Sequence, residues 1–256
     1  MAYTIADMGN KAKSESAGYK KSHIVIATFL IIILVWLFAS TLHGGKTGTL
    51  SITLPIIQTE VDIDGKQKIT TSSDNQKVEV TLPPGNHSVT LSHIGYVDWK
   101  KDFSILSSGN LTLSPIFITQ NASGLIITKS DPDYLKIRNQ ITSDTLPTKD
   151  SPRVSEDKTA TAWVEGETIF AKVGEKIYTV TQSATEIKNL YFYEDRTDNL
   201  IFSTGNAIYL IEVDKTGGQN FIPIYKGTNP YFIKGDLPNS NYIYVLEGEN
   251  LMQVII

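Results

Sequence analysis

The feature that most constrains this chain is an uncharged apolar run near its N-terminus. Residues Ile24–Leu42 fill 19 positions without one charged side chain. As a helix this run would be about 28 Å long, close to the roughly 30 Å hydrocarbon core of a bilayer. We therefore predict a transmembrane helix at 23–43 that the mature protein retains. A cleaved signal peptide is the main alternative, and a buried core helix is the second.

The lysines beside the run predict its direction. Lys20 and Lys21 directly precede it, whereas Lys46 alone follows it within the next 20 residues. Lysine and arginine accumulate on the cytoplasmic side of membrane spans. We therefore predict a cytoplasmic tail at 1–22 and a single-pass protein of the cell membrane, with its C-terminal bulk outside the cytoplasm.

Charge and cysteine content exclude several function classes. The tail 1–22 carries +2 of the formal net charge of −4, so residues 23–256 carry −6. A nucleic-acid partner would call for a basic surface, and we expect no such partner. The chain contains no cysteine, which excludes disulfide scaffolds, thiol catalysis and cysteine-based zinc sites. The outer region must therefore fold by core burial alone.

The residues after the apolar run predict β-strands. From Thr49 to Ile118, apolar and polar side chains alternate, which is the period of half-buried strands. Leu50, Ile52 and Leu54 share one face in this pattern. We expect a first, all-β module here.

Three turn motifs separate these strands. Val61–Gly65 reads VDIDG, Leu82–His87 reads LPPGNH, and a Gly-Tyr pair follows at 95–96. With these motifs in this order, the stretch 48–119 resembles the PEGA domain of bacterial surface proteins. The resemblance implies a small β-sandwich that serves as a spacer or binding module, and it supplies no catalytic residue. The polar loop Gln67–Gln76 departs from the family's pattern and predicts a longer turn.

A repeated pattern follows a turn-rich connecting segment at 120–157. Each unit holds an aromatic residue, a strand, a hairpin glycine and a second strand, with Gly174, Gly205 and Gly248 as the marker glycines. This resembles β-propeller blades, and we predict two to three blade-like antiparallel sheets over 158–256. The ring should be incomplete, because a closed propeller needs about 4–8 blades. A plain antiparallel β-domain with similar hairpins is the open alternative.

An open stack of sheets leaves an apolar face at each end. We expect the segment 120–157 to cap one end. At the other end, near Leu251 and Val254, we expect an oligomer contact or a second protein.

Some short motifs resemble those of serine β-lactamases and penicillin-binding proteins. They are S-x-x-K at 155–158, S-D-N at 73–75 and K-T-G at both 46–48 and 215–217. Their order along the chain is wrong. Ser155 also stands in a charged, proline-flanked loop instead of opening an apolar helix. We reject this interpretation.

The sequence evidence for a metal site is also weak. Asp62 and Asp64 resemble the start of a calcium loop, but the bidentate glutamate expected further along is missing. His87 and His93 have no carboxylate or thiol cluster near them in sequence, and we expect structural roles for both. We predict no catalytic residue, no metal ligand and no cofactor.

Aromatic residues at 191–193, 225 and 231–232 suggest a sugar- or peptide-binding face. Core packing of the sheets explains them as well, and packing is our prediction.

These features favour a non-catalytic, membrane-anchored protein of the cell envelope. The expected fold is an all-β outer region, a PEGA-like β-sandwich followed by blade-like antiparallel sheets, tethered by one N-terminal transmembrane helix. Its β modules would bind an envelope protein or a cell-wall polymer, and its oligomeric state stays open. The alternative is a membrane-anchored envelope hydrolase, with Asp131, Asp133, Glu165 and Glu167 as its candidate carboxylates.

Overall fold

The computed structural model describes Ile31, Ile33 and residues 46–72, 76–235 and 242–256. The chain divides into two compact units, Met1–Thr47 and Gly48–Ile256. The predicted tail 1–22 lies outside the described residues, and so does the predicted span 23–43 except for Ile31 and Ile33, which are helical. Among the described residues, no helix has the length and apolar character that a membrane crossing requires.

The unit Gly48–Ile256 consists of β-sheets with one helix in its described part. All strand pairings there are antiparallel except that of β1 with β7, and the predicted all-β class is confirmed. The strands are β1 (Gly48–Thr53), β2 (Glu60–Ile63), β3 (Gln67–Thr70), β4 (Lys77–Leu82), β5 (Gly85–Ser92), β6 (Trp99–Ile105), β7 (Asn110–Leu113), β8 (Ser123–Ile127), β9 (Arg153–Val154), β10 (Ala160–Glu165), β11 (Thr168–Val173), β12 (Lys176–Gln182), β13 (Asn189–Phe192), β14 (Asn199–Ser203), β15 (Ala207–Glu212), β16 (Phe221–Lys226), β17 (Tyr231–Lys234), β18 (Tyr242–Glu247) and β19 (Asn250–Ile255), and the helix α1 is Tyr134–Ser143.

The first seven strands form two sheets around one core. Their orders are β4-β1-β7 and β3-β2-β5-β6. Strand β4 buries Val78, Val80 and Leu82 and exposes the residues between them, as the alternation predicts. The core is apolar throughout: Leu50, Ile52, Leu54, Val61, Ile63, Val78, Val80, Leu82, Val89, Leu91, Trp99, Ile105 and Phe117.

The hairpin between β2 and β3 turns at Asp64 and Gly65, as predicted. Their φ angles are 55° and 65°. Glycine adopts this left-handed conformation without steric strain, and aspartate tolerates it better than most residues. The turn points the Asp64 side chain back toward β5, where it meets His87.

Three four-stranded antiparallel sheets follow. Their orders are β12-β11-β10-β9, β13-β14-β15-β16 and β17-β18-β19-β8. The middle sheet is covered on both faces: Leu200 and Phe202 pack with the first of the three sheets, and Ile201 packs with the third. Strand β14 is therefore buried along its whole length, which explains why it lacks alternation in sequence.

In the first of these three sheets, the marker glycine that was predicted lies in a different hairpin from those of the other two sheets. Gly205 and Gly248 lie in hairpins between the second and third strands of their sheets, but Gly174 lies between the third and fourth strands. The glycine that matches Gly205 and Gly248 is Gly166, between β10 and β11. The predicted first unit is thus displaced by one hairpin, because the β10–β11 and β11–β12 hairpins each carry a glycine with positive φ.

The connecting segment 120–157 completes the third sheet. Its strand β8 pairs with β19, with Gly124 opposite Val254 and Ile127 opposite Leu251. The chain itself therefore buries the side chains of Leu251 and Val254, near which a partner contact was expected, and they are 0% and 3% exposed. Helix α1 covers the same sheet through Tyr134, Ile137 and Ile141, which pack on Ile233, Leu246 and Leu251.

Candidate functional site

A groove of about 790 Å³ opens between β6 and β7, the outermost strands of the first two sheets. This volume lies within the range of small-ligand sites in proteins. Strands β5, β6 and β7 and the loops after β2 and β15 supply its lining: Asp64, Asn86, His87, Ser88, Lys101, Asp102, Phe103, Ser104, Leu111, Leu113, Asp214, Thr216 and Gly217.

The floor of the groove is apolar. Leu111 and Leu113 are two residues apart on β7 and so face the same side. Both are half-buried against the core of the first two sheets, as is Phe103 of β6. The His87 ring stacks on Phe103 with ring centroids 5.7 Å apart and an interplanar angle of 29°.

An ion pair between two side chains forms part of the lining of the groove. His87 Nδ1 lies 2.8 Å from Asp64 Oδ2, and His87 Nε2 lies 2.9 Å from the Pro83 carbonyl oxygen. A neutral imidazole has one N–H and can satisfy only one of these acceptors, whereas the imidazolium donates to both. The hydrogen bond to Asp64 is the main cause that raises the pKa of His87. The same bond, with a second from the Ser88 N–H, lowers the pKa of Asp64.

The loop between β15 and β16 forms another part of the lining. Its Gly217 carbonyl oxygen accepts a 2.7 Å hydrogen bond from the Asp102 N–H at the edge of β6. A Cβ on Gly217 would lie 1.6 Å from the Asp102 carbonyl oxygen, and the φ of Gly217 is +73°. Only glycine fits this approach. Asn220 forms two further hydrogen bonds between this loop and β6. Its side-chain oxygen accepts from the Lys100 N–H, and its side-chain NH₂ donates to the Lys100 carbonyl oxygen.

A buried carboxylate fixes that loop against the first module. Glu212, at the end of β15, accepts hydrogen bonds from Trp99 Nε1 at 2.9 Å and from Lys101 Nζ at 2.7 Å. Asn220 adds one bond from its side chain at 2.9 Å and one from its backbone N–H at 3.2 Å. Four donors compensate the desolvation of this carboxylate, which belongs to a residue only 8% exposed.

Among the described residues, the rim of the groove carries one carboxylate without a charged partner. Its lining holds three carboxylates: Asp64 is paired with His87, Asp214 lies 3.8 Å from the ammonium of Lys176, and Asp102 is the third. The lysine of the lining, Lys101, is paired with Glu212. Within the described part of the chain, no side chain pairs with the carboxylate of Asp102, an exposed residue. Burial raises the pKa of Asp214, but hydrogen bonds from the Thr216 N–H and hydroxyl outweigh it and lower that pKa overall.

Among the described residues, the S-x-x-K serine and the second K-T-G motif do not line a common pocket. Ser155 is buried in a tight turn, where its hydroxyl donates to Asp157 at 2.7 Å and meets the Ala160 carbonyl oxygen at 3.1 Å. It does not line the groove, whereas Thr216 and Gly217 of one K-T-G motif do. The S-D-N motif at 73–75 lies outside the described residues.

The carboxylates considered for a hydrolase lie elsewhere. Asp131 accepts bonds from the N–H and hydroxyl of Thr128 in a turn, and Asp133 is the residue before α1. Glu165 and Glu167 flank the β10–β11 hairpin, and Glu165 accepts the Trp163 indole N–H at 2.7 Å. None of the four lines the groove.

Five of the six candidate aromatic residues pack in or against the cores, and the sixth, Tyr231, is 39% exposed. His93 contacts the Tyr96 ring edge-on at 5.3 Å. Core packing is confirmed for Phe192, Tyr193 and Phe232, which are 3%, 6% and 0% exposed. Across the described ranges, no three His, Cys, Asp or Glu side chains are grouped so that they could hold a metal ion.

Sequence reasoning singled out Asp64 and His87 but missed Trp99, Asp102 and Glu212. Trp99 and Glu212 are 113 residues apart, and no local pattern joins them. The sequence offered one indication of the contact between this loop and β6, which was Gly217 in a polar loop, because glycine permits close approach of two backbones.

Comparison with known proteins leaves the family open. No family model matches this chain, and no curated protein matches it. Among solved structures it is similar to the Bacillus anthracis TIE protein, with 14% sequence identity and a TM-score of 0.26. The match covers 82% of this chain and 48% of that chain, so this chain spans about half the length of that structure. A likeness at this TM-score does not define a shared fold.

Proposed function

We propose that this chain is a non-catalytic, membrane-anchored cell-envelope protein that displays β modules for binding outside the cell. The anchor is the uncharged run Ile24–Leu42, and the lysines before it favour a cytoplasmic N-terminus. The groove between β6 and β7 is its binding site. Its ligand is an envelope protein or a cell-wall polymer.

The first module is a PEGA-like sandwich in this proposal. Two of its motifs contact one another: His87 of the LPPGNH turn bonds Asp64 of the VDIDG hairpin. This contact gives a physical reason for the two motifs to occur together. Gly65, Gly85 and Gly95 have positive φ in the three motifs, so each motif needs glycine at that point.

The following three sheets are blade-like in this proposal. Gly166, Gly205 and Gly248 hold equivalent hairpins and are 39 and 43 residues apart. The first strands of adjacent sheets contact each other, β13 with both β9 and β17. Strand β8, from before the repeats, supplies the fourth strand of the last sheet. Three such units are fewer than a closed propeller requires.

The hydrogen bonding of the His87 ring is the observation that favours a binding function over a catalytic one. Each ring nitrogen faces an acceptor, Asp64 or Pro83, so neither is directed at a serine hydroxyl. A hydrolytic triad needs one nitrogen on the nucleophile. The lowered pKa values of Asp64 and Asp214 also disfavour a carboxylic acid that donates a proton to a glycosidic oxygen.

Cysteine labelling tests the anchoring and its direction. Because the chain contains no cysteine, Ala184→Cys in the exposed β12–β13 loop and Ser14→Cys in the tail each create one reactive thiol. In intact cells, a membrane-impermeant maleimide should label Ala184→Cys and leave Ser14→Cys unlabelled until the cells are lysed. The reverse pattern would overturn the direction. Release of the Ala184→Cys protein without detergent would overturn the anchor.

Photocrosslinking tests the groove. A photoreactive amino acid in place of Ser104, an exposed groove residue, should crosslink an envelope component in intact cells. The same group in place of Asp150, exposed and not among the groove residues, is the control. If the purified full chain instead degrades cell-wall polymer, and Asp102→Asn abolishes this activity, the hydrolase alternative is correct.

A further inference from the structure

We propose that the groove takes an extended basic peptide, which adds a strand to the open edge of β7. This inference rests on the proposed binding function and deepens it by assigning the chemistry of the ligand. Edge strands bind extended peptides through ladder hydrogen bonds, and pockets beside them select the side chains.

The two strands beside the groove differ in the state of their edges. The edge of β6 already has a partner, because Gly217 and Asn220 bond its backbone at Asp102 and Lys100. Strand β7 is the last strand of its sheet and pairs only with β1 in the described part of the chain. The unpaired side of β7 therefore offers backbone donors and acceptors to a second strand.

The floor suits the alternating side chains of such a strand. Leu111 and Leu113 have the two-residue spacing of a β-strand, and Phe103 lies in the same groove. A peptide alongside β7 presents every second side chain to this apolar surface. Strand β7 has four residues, about 13 Å of ladder, so a peptide of roughly six residues covers it.

The rim determines the charge of the peptide. Asp64, Asp214 and Lys101 line the groove but are each paired with an opposite charge, His87, Lys176 and Glu212 respectively. Asp102 lines the groove and has no side-chain partner among the described residues. An acidic peptide would place a carboxylate against Asp102, whereas a lysine or arginine at one of its alternate positions would complement this charge.

The probe is a capped hexapeptide of alternating lysine and valine with a fluorophore. Its binding to the purified full-length chain in detergent is measured by anisotropy at low salt. We expect the matching glutamate-valine peptide to bind at least ~10-fold more weakly, because like charges then face the rim. N-methylation of alternate backbone nitrogens of the basic peptide should abolish binding, because it removes ladder donors and keeps the charge.

Asp102→Asn should weaken binding of the basic peptide about 1.5- to 5-fold, the range of one solvent-exposed charge pair. Asp150→Asn is the matched control. It removes an exposed carboxylate that does not line the groove, and it should leave the affinity unchanged.

Three results of the binding assays would overturn the inference. The first is equal binding of the basic and acidic peptides, and the second is binding that survives N-methylation. The third is no peptide binding while neutral cell-wall oligosaccharides bind the groove. Crosslinking from position 104 without peptide binding would reject the peptide and retain the binding function. Loss of both would reject the binding function as well.

Discussion

Trp99 donates its indole N–H to the buried carboxylate of Glu212 across 113 residues of sequence, at 2.9 Å. Trp99 is 4% exposed and belongs to the core of the first module, whereas Glu212 ends a strand of the middle four-stranded sheet. This hydrogen bond connects a core residue of the first module to the middle four-stranded sheet. It also fixes the loop that forms one wall of the groove.

Glu212→Ala should lower the free energy of unfolding by about 3–5 kcal/mol, because it leaves the Trp99 indole N–H without an acceptor and the largely buried ammonium of Lys101 without its counter-charge, with only the Gly218 carbonyl oxygen as acceptor. Glu212→Gln should cost less, since an amide oxygen still accepts from Trp99. Urea denaturation of the full-length chain, followed by tryptophan fluorescence, measures both. The control is Glu60→Ala, which removes an ion pair to Lys68 whose side chains are 46% and 64% exposed. It should change stability by less than about 1 kcal/mol. Equal effects of Glu212→Ala and Glu60→Ala would contradict the assigned role.

Gly217→Ala should detach the β15–β16 loop from β6. The added Cβ would lie 1.6 Å from the Asp102 carbonyl oxygen, so the backbones must separate and the Asp102–Gly217 hydrogen bond must break. Hydrogen exchange at the Asp102 amide should become faster, while exchange in β14 stays slow. The matched control is Gly218→Ala, since Gly218 also has positive φ but open space around it. If both variants give the same exchange at Asp102, conformational strain alone accounts for the effect.

The Asp64–His87 pair should make stability depend on pH in a defined direction. The pKa of His87 is raised in the folded state, so its contribution is fully present below about pH 6.5 and is lost as pH rises through the folded pKa. The pKa of Asp64 is lowered, so its contribution is present above about pH 3.9 and is lost as pH falls through the folded value. Nearby Lys66 opposes the charged form of His87 and favours that of Asp64.

The test compares wild type with His87→Gln by urea denaturation at about pH 5.5, 7 and 8.5. The stability advantage of the wild type should shrink toward high pH. His93→Gln controls for the other histidine of this module. An advantage that grows with pH would show that His87 is held neutral.

Strand β8 should be sensitive to any added bulk at Gly124. A Cβ there would lie 2.4 Å from the Gln253 carbonyl oxygen. Gly124→Val should therefore separate β8 from β19 and expose the buried side chains of Leu251 and Val254. We expect earlier cleavage near residues 120–130 in limited proteolysis. Ser123→Val is the control, since it adds comparable bulk at an adjacent exposed residue of the same strand. Unchanged cleavage of Gly124→Val would mean that β8 tolerates the added side chain.

The all-β class, the β2–β3 hairpin and the inward face of β4 followed from sequence alone. Each depends on the spacing of apolar residues such as Val78 and Val80, or on the backbone freedom of Gly65, and both act over a few residues. It was harder to predict which hairpin begins the repeat, because Gly166 and Gly174 both stand between two strand-like segments in the sequence. Only strand pairing distinguishes them.

The groove could be recognised only from the tertiary structure. Asp64 and His87 meet because two hairpins of one sandwich lie side by side, and Glu212 reaches Trp99 because the β-sheets pack against one another. The covering of Leu251 by β8 and α1 likewise joins segments more than 100 residues apart. Such contacts depend on which apolar faces bury each other, and no local pattern of side chains records that choice. The sequence determined the strands and turns, and the packing of the sheets decided which of their polar residues share a site.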